Sequence, residues 1–430
     1  MGTHLNRIGK SALPGLPLHG LVKVVAAVIF LSSGLVDLPR AIHVGPLSGQ
    51  ALLTVAYYCG ALLLLSVIPI LEVPTPSRTV PLLVFMFWAT TSLAWTPALV
   101  EGMQNILVMG AFVLLLLVGE ATASTTPEFA LWTSRCLDAG VFLAVAIYGT
   151  SVLIWGPGTN ILISARSFGL FAVYGVANQL AKWRHGRKQG LLWAVLITVL
   201  IGVSESRLAL GVAVCLFPIS QIPVRGWIQW AKAAVVAVSV AALSYAAFNY
   251  FDALRDRFLK GDVSLRIWDV SINASGRTAF WRATLDSWRE SPLVGKGAGS
   301  SENLIESVFV TISHPHNDYL RILHDYGFAG TVIWAAGILT LLVSLWHAWR
   351  HASQVFHAVP QLYLAGFLML IAFVLSMTAE NPIVDIFATA PVGLVVGCAL
   401  GLQRSLARSR VRFKGSPIRQ SPNPSIRWAR

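Results

Sequence analysis

Apolar runs alternate with short polar connections along most of the chain, from residue 21 to residue 402. A run of about 20 apolar residues can cross the hydrocarbon core of a bilayer, where backbone groups must hydrogen-bond within their own segment. The pattern therefore predicts an all-α polytopic membrane protein with about twelve transmembrane helices. The seventh and eighth runs are short enough to form one re-entrant pair. The predicted spans are roughly 21–42, 47–71, 80–96, 99–119, 138–156, 164–181, 189–204, 206–221, 228–250, 328–349, 359–378 and 384–402.

A long polar segment, residues 251–327, interrupts this pattern between the ninth and tenth spans. Connections of this length are uncommon between packed helices and usually carry function. We therefore expect nine spans in residues 1–250, a functional loop in 251–327, three further spans in 328–402 and a basic tail in 403–430.

The composition is that of a membrane protein with a basic bias. The 430 residues are 55% hydrophobic and 12% charged, and the mean hydropathy is +0.67. Soluble proteins carry about twice this charged fraction. The net charge of +13 comes largely from short loops and from the tail, where membrane orientation and anionic lipid account for it. Nucleic acid is therefore not an expected partner.

Lysine and arginine concentrate in alternate connections, which predicts the orientation of the chain. If the N-terminus is cytoplasmic, the basic connections all fall on the inner side, as the positive-inside rule requires. The long polar loop 251–327 and the short loops at Glu205 and Glu380 then fall on the outer side. The basic positions assigned to the inner side are Arg78, Arg135, residues 182–188, Arg225, Arg350, Arg404, Arg408, Arg410, Arg412 and Lys414.

The long loop has its own predicted elements. Residues 252–262 are charged and favour a helix at the membrane edge, and residues 263–272 alternate as a strand does. A helix is predicted over residues 278–290, where Trp281, Leu285 and Trp288 form an apolar stripe suited to the membrane interface. Gly295, Gly297 and Gly299 follow. Their spacing does not match a Walker A loop and favours a tight turn with close backbone approach.

Residues 314–320, with the sequence HPHNDYL, place titratable and hydrogen-bonding side chains at the end of this loop. The His316 imidazole can take up a proton near neutral pH, so we predict that His316 is a general base. His314 is interpreted as an interfacial hydrogen-bonding residue. Asn317 or Asp318 is expected to cap the helix that begins there, and Gly327 is expected to end it before the tenth span.

Two arginines near the predicted outer boundary are candidates for binding an anion. Arg207 follows Ser204, Glu205 and Ser206 between two apolar runs, and an ionisable residue at that depth is a functional candidate. Arg277 opens the predicted helix, where its charge opposes the helix dipole. Two arginines and a helix N-terminus together favour a diphosphate site. The structural alternatives are a Glu205–Arg207 ion pair and a solvated Arg277.

Other chemistries lack support in the sequence. Cys59, Cys215 and Cys398 lie in apolar runs and Cys136 in a predicted short loop, without a CxxC spacing, so neither a disulfide nor a zinc site is expected. The chain has no HExxH motif and no Asp-x-Asp pair. We therefore expect no metal ion and no nucleotide cofactor.

Three stretches resemble the O-antigen ligase superfamily. His316-Asn317, followed by Gly327 and Gly330, resembles its His-Asn-x9-Gly-x-x-Gly pattern. The stretch from Ser204 to Ala209 is similar to its Ser-Arg segment, and residues 275–297, from Ser-Gly-Arg to Gly-Lys-Gly, are similar to the loop segment upstream of its histidine. The order of these stretches, the twelve spans and the late periplasmic loop also fit. The specific likeness covers about residues 200–385.

The resemblance implies a glycosyltransferase of the bacterial inner membrane whose active site faces the periplasm. Its donor would be a polysaccharide on undecaprenyl diphosphate, and its acceptor a sugar hydroxyl of lipid A-core in lipopolysaccharide biosynthesis. We predict that His316, Arg277 and Arg207 are catalytic. The side chains predicted to bind the diphosphate or the glycan are Asn317, Asp318, Trp281, Arg282 and Glu380.

Residue chemistry agrees with this expectation. A sugar hydroxyl is a poor nucleophile and needs a base, while the departing lipid diphosphate gathers negative charge that arginines stabilise most in the transition state. A single attack at the anomeric carbon would invert its configuration. The same chemistry fits an O-antigen or exopolysaccharide polymerase, whose acceptor is a second lipid-linked glycan. A lipid-linked-glycan transporter is the alternative of another class, although the large outer loop is atypical of a carrier.

Overall fold

The computed structural model is a bundle of long helices with a polar layer at one end. It describes residues 18–44, 47–67, 78–223, 226–250, 252–260, 265–267, 270–273, 276–309, 312, 314–353 and 359–415. Some predictions fall outside these ranges. They are those on the N-terminus, on Arg225, on Ser275 and on the end of the basic tail.

A helix occupies each of the twelve predicted apolar spans. The helices before the polar loop are α1 Leu18–Gly34, α2 Gly49–Val67, α3 Val80–Thr91, α4 Leu99–Thr125, α5 Glu128–Trp155, α6 Ala165–Arg184, α7 Gln189–Val203, α8 Arg207–Ser220 and α9 Trp227–Tyr250. The loop holds α10 Asp252–Leu259, α11 Arg277–Trp288 and α12 Ser300–Val308. The last three helices are α13 Asp318–Ala352, α14 Pro360–Ser376 and α15 Ile386–Gly415.

The helices make this a multi-pass membrane protein. In the described ranges, six helices are long and apolar enough to cross a bilayer, namely α2, α4, α5, α9, α13 and α15. Five shorter helices, α1, α3, α7, α8 and α14, are apolar, whereas α6 belongs to neither group. The helical membrane class is thus confirmed, and the number of twelve spans stays a prediction.

Two residues predicted in a short loop lie within a helix instead. The fifth span was predicted to begin at residue 138, but α5 begins at Glu128, so Arg135 and Cys136 are helical and Cys136 is buried. The polar residues of this stretch bond to a neighbouring helix. Ser134 Oγ donates to Asn178 Oδ1 of α6 at 3.1 Å. Polar residues at a contact between two helices thus resemble the polar residues of a loop in the sequence, which is why the start of α5 was predicted too late.

The polar loop contains the two predicted helices with shifted boundaries, whereas the predicted strand is a pair of short strands and α12 was not predicted. Two short strands, β3 Leu265–Ile267 and β4 Val270–Ile272, pair antiparallel with Leu265 opposite Ile272. A second short antiparallel pair, β1 His43–Val44 and β2 Leu47–Ser48, joins α1 to α2. In α11 the buried side chains are Phe280 and Thr284, while the predicted tryptophan stripe is half-buried.

Successive connections lie at opposite ends of the bundle. At one end, Thr96 Oγ1 donates to the Ala298 carbonyl of the polar loop at 2.6 Å. At the other end, Arg78 Nη1 donates to Gln403 Oε1 at 2.6 Å, and Arg404 pairs with Glu120 at 2.8 Å. The polar loop and these basic residues are therefore at opposite ends, as the predicted orientation requires.

The central pair of the bundle, α4 and α15, packs backbone against backbone. Gly393, Gly397 and Gly401 repeat every four residues along one face of α15. A Cβ atom at Gly397 would lie 2.1 Å from the Leu116 carbonyl oxygen of α4. Small residues at this spacing let membrane helices approach closely.

A break at Gly327 separates the polar start of α13 from its apolar remainder. Gly327 has φ 67° and ψ −173°, a conformation that glycine adopts readily. The glycine-rich turn predicted upstream docks here, because Lys296 N donates to the His324 carbonyl at 2.9 Å and Gly297 N to the Asp325 carbonyl at 2.8 Å. These donors satisfy carbonyl groups that the break leaves without helical partners. Both glycine predictions are confirmed.

Gly327→Ala should destabilise the protein by about 2–6 kcal/mol, because strained backbone and overpacking each cost about 1–3 kcal/mol. A Cβ atom there would lie 2.3 Å from the Leu293 carbonyl oxygen. Thermal unfolding in detergent measures the effect. The matched control is Gly211→Ala in α8, where an added Cβ meets no atom within 4 Å. Equal unfolding temperatures for the two variants would contradict the proposed role of the break.

Candidate active site

Three arginines from the first turns of three helices line one cavity at the polar end of the bundle. Arg166 is the second residue of α6, Arg207 the first of α8 and Arg277 the first of α11. The cavity has a volume of about 370 Å³. Its other lining residues come from the connections at this end and from the first turns of α6 and α8: Gly158, Asn160, Ser164, Ala165, Ser204, Glu205, Ser206, Leu208, Asn273 and Glu380.

This arrangement creates an excess of positive potential inside the cavity. Each helix N-terminus carries a partial positive charge, and a basic side chain in the first turn adds to it. Two acidic side chains, Glu205 and Glu380, line the same cavity and offset part of this charge. Backbone N–H groups and guanidinium forks together are the usual ligands of phosphate groups. The cavity is therefore suited to bind a polyanion.

Local turns determine where two of these arginines lie. Ser164 caps α6 by accepting a hydrogen bond from Ser167 N at 3.1 Å, which fixes the first turn around Arg166. Glu205 has a positive φ of 58°, and its N–H donates to the Gly202 carbonyl at 3.0 Å. This turn reverses the chain between α7 and α8. Arg207 then donates from Nη1 to the Asn273 carbonyl at 2.7 Å.

Glu380 lies between two of the arginines and the histidine. It is 7% exposed in the connection between α14 and α15. Its Oε1 lies 3.1 Å from Arg277 Nη2 and 3.2 Å from Arg166 Nε, and its Oε2 lies 4.0 Å from His316 Nδ1. Burial raises the pKa of Glu380, and the two arginines oppose that rise. The carboxylate of Glu380 thus offsets one of the two guanidinium charges that it contacts.

His316 lies beside this ion-pair cluster with its backbone in the left-handed region, at φ 51°. Asn381 Nδ2 lies 2.9 Å from its Nδ1, and Arg166 Nη1 lies 3.4 Å from both ring nitrogens. Burial, followed by the charges of Arg166, Arg277 and Arg321, lowers the pKa of His316 to about 3. The ring is therefore neutral near pH 7, as a general base must be.

The same charges weaken His316 as a base. An imidazolium beside three guanidinium groups is repelled by them. An anion bound to Arg166 and Arg277 would cancel much of that repulsion and raise the pKa of His316 toward neutral pH. The proton affinity of the ring would thus increase when an anionic ligand binds.

Asn317 and Asp318 hold the histidine stretch in place. Asn317 caps α13 by accepting a hydrogen bond from Leu320 N at 3.1 Å, which confirms it as the predicted cap. Asp318 is fully buried, and its Oδ2 accepts from Ile383 N at 2.9 Å while its own N–H donates to the Met377 carbonyl at 2.9 Å. These bonds fasten the start of α13 to the connection that carries Glu380. Neither side chain is among the cavity-lining residues.

Trp281 and Arg282 are also outside the cavity lining. Trp281 Nε1 donates to the Pro315 carbonyl at 3.1 Å, so this side chain supports the histidine stretch. Arg282 is exposed and has no hydrogen bond or ion pair with the described part of the chain. His314 Nδ1 lies 2.7 Å from Arg321 Nη2, away from Glu380, as expected of a structural histidine.

A second polar cluster, which the sequence pattern did not indicate, lies at the N-terminus of α12 and consists of Ser300, His324 and Asp325. Asp325 Oδ1 accepts from Ser301 N at 2.8 Å and its Oδ2 from Gly299 N at 3.1 Å, which supplies the helix cap that Gly299 lacks. His324 and Ser300 bond to the same carboxylate at 3.0 and 3.1 Å. The three side chains are at most 3% exposed, so this Ser–His–Asp group is structural and inaccessible to a substrate.

Sequence reasoning assigned no role to Arg166 or Asn381. A signal existed for Arg166, because it follows the helix-capping Ser164 and opens an apolar span as Arg207 does. For Asn381 the only signal was its neighbour Glu380. Within the described ranges, no group of three or more His, Cys, Asp or Glu side chains is arranged as a metal site.

Comparison with known proteins identifies one region of the chain. A family model described as O-antigen ligase matches residues 190–335. This range includes Arg207, Arg277 and His316, and it ends before Glu380. A search of curated protein sequences finds no match.

Proposed function

Residues 190–335 of this chain belong to the O-antigen ligase family, and we propose that the protein transfers O-antigen polysaccharide from undecaprenyl diphosphate to a sugar hydroxyl of lipid A-core. It would act in the bacterial inner membrane, at the periplasmic face. The observation that supports this most is the cavity, which three arginines on helix N-termini line. His316 is outside this lining, but Arg166 Nη1 lies 3.4 Å from both of its ring nitrogens, and Glu380, which pairs with Arg166 and Arg277, lies 4.0 Å from its Nδ1. A lipid diphosphate is an anion that guanidinium groups and helix N-termini bind together.

The proposed reaction is a single displacement. The acceptor oxygen attacks the anomeric carbon of the donor sugar, and its proton passes to His316. The bond between that carbon and the diphosphate oxygen breaks, and its electron pair remains on the lipid diphosphate. Attack from the face opposite the leaving group inverts the anomeric configuration. A product that retains the donor configuration would rule out this scheme.

The arginines and Glu380 have distinct roles in this scheme. Arg166 and Arg277 would release Glu380 in part and bind phosphate oxygens, and Arg207, which lines the same cavity, would bind them as well. Preorganised charges of this kind stabilise a leaving group without reorganisation during the reaction. The neutralised cluster would then allow His316 to take the proton of the acceptor.

The identity of the acceptor separates a ligase from a polymerase. Purified protein is given an undecaprenyl-diphosphate-linked glycan together with either lipid A-core or a second lipid-linked glycan. We expect glycan on lipid A-core and free undecaprenyl diphosphate as products. Elongation of the lipid-linked glycan would instead assign a polymerase. Glycan movement across proteoliposomes without a new covalent bond would assign a transporter.

A further inference from the structure

Among the described residues, Asn381 makes the shortest polar side-chain contact with the His316 ring. It lies directly after Glu380 and is 6% exposed, with its Nδ2 lying 2.9 Å from His316 Nδ1. Glu380 is farther from the same nitrogen, at 4.0 Å. The backbone around Asn381 is fixed, because Ile383 N donates to the buried carboxylate of Asp318 at 2.9 Å. The amide of Asn381 is thus held within hydrogen-bond distance of the ring.

The orientation of this amide determines which ring nitrogen carries a proton. A neutral imidazole has one N–H donor and one lone pair. If Asn381 donates from Nδ2, His316 Nδ1 must hold the lone pair and Nε2 the proton. The ring then has no free basic nitrogen. Arg166 does not decide between the tautomers, since its Nη1 lies 3.4 Å from both ring nitrogens.

The opposite orientation of the amide is accessible by a half turn of its side chain. Asn381 Oδ1 is buried and has no hydrogen-bond partner among the described residues, so no second bond holds the amide in one orientation. After the half turn, Oδ1 accepts a hydrogen bond from Nδ1–H, and the lone pair on Nε2 is free. When the ring becomes an imidazolium, both nitrogens are donors, so only this orientation retains the bond.

We propose that Asn381 is the positioning residue of His316: its amide oxygen accepts Nδ1–H, holds the ring in the tautomer with a free Nε2, and stabilises the imidazolium formed during transfer. This inference rests on the proposed role of His316 as general base. The proton of the acceptor hydroxyl goes to Nε2, and the Nδ1 proton stays on the ring. Because the bond strengthens as the ring gains charge, it favours the transition state over the ground state.

Asn381→Ala and Asn381→Asp test this role in the full-length protein. With alanine we expect kcat to fall by about 10- to 1,000-fold, within the range that general-base catalysis contributes, while KM for the lipid-linked donor changes less than about twofold. With aspartate we expect kcat to recover largely. The acid limb of its pH profile should move to higher pH, since a carboxylate stabilises the imidazolium and thereby raises the pKa of His316.

A matched control separates this role from general loss of structure. Asn105→Ala in α4 removes another asparagine with 6% exposure, and we expect unchanged kcat. Unchanged kcat in Asn381→Ala, or an aspartate variant with neither recovery nor a shifted acid limb, would overturn the proposal.

The tautomer itself gives a readout that does not depend on transfer. The ¹⁵N shifts of the His316 ring are assigned by difference from His316→Ala. We expect a protonated Nδ1 in the unmodified protein and loss of that preference in Asn381→Ala. A proton on Nε2 in both would overturn the Asn381 role even if the protein proves to be a ligase. If Nδ1 is protonated only when Asn381 is present, but the protein transfers no glycan, the hydrogen bond to Asn381 would be supported and the proposed function would be rejected.

Discussion

His316→Ala should abolish glycan transfer while the protein remains folded and inserted. General-base catalysis contributes about 10²- to 10⁴-fold. Among the residues that the structure describes, His316 is the histidine that contacts Arg166, and none contacts Arg277. The ring is neutral before the donor binds, because burial and three guanidinium groups lower its pKa to about 3. Transfer to lipid A-core by the purified variant, scored by product formation, measures the effect.

His43→Ala is the matched control for this variant. His43 is exposed in β1, at the same end of the bundle, and its ring bonds only weakly to a carbonyl two residues away, at 3.4 Å. We expect full activity from it. Undiminished transfer by His316→Ala would end the general-base assignment, whereas equal loss in both variants would indicate that alanine at this end disrupts folding.

The two histidines of the stretch show what the sequence could and could not resolve. His316 was predicted to be the general base and His314 a hydrogen-bonding residue. In the structure His314 contacts Arg321 and His316 lies near Glu380, and the catalytic role of His316 stays a prediction. The break at Gly327 and the Asn317 cap were also predictable, since both follow from local backbone chemistry. Residues within a few positions of Gly327 and Asn317 are sufficient to predict the break and the cap.

Other features depend on contacts between distant parts of the chain. Arg166 and His316 are 150 residues apart, and Asn381 and His316 are 65 apart. Arg166 has no acidic residue close to it in sequence. The sequence alone therefore does not distinguish it from an arginine whose side chain extends to the lipid head groups. The error at Arg135 and Cys136 has the same origin, because the polar stretch of α5 is satisfied by α6. Helix positions were therefore easier to predict than the partners of individual polar side chains.

The arginine substitutions have the second largest expected effect. Arg277→Ala, Arg207→Ala and Arg166→Ala should each raise the barrier to transfer by about 2–4 kcal/mol, the cost of removing one preorganised charge donor. Lysine should restore only part of the rate, because a point charge replaces a bidentate fork.

Arg289→Ala is the matched control. Arg289 lies just after α11, its side chain is 70% exposed and it pairs with Asp286, so we expect little change in transfer.

Glu380 allows the electrostatic role of Arg277 to be separated from a structural one. Removal of Arg277 leaves the buried Glu380 carboxylate without one of its two arginine partners, and that alone can disturb the site. If this is the whole effect, the double variant Arg277→Ala/Glu380→Gln should recover the rate. If Arg277 stabilises the departing diphosphate, the double variant should stay as slow as the single one. We expect the second result, with weaker binding of undecaprenyl diphosphate in both variants. Recovery of transfer in the double variant would remove Arg277 from the proposed leaving-group site.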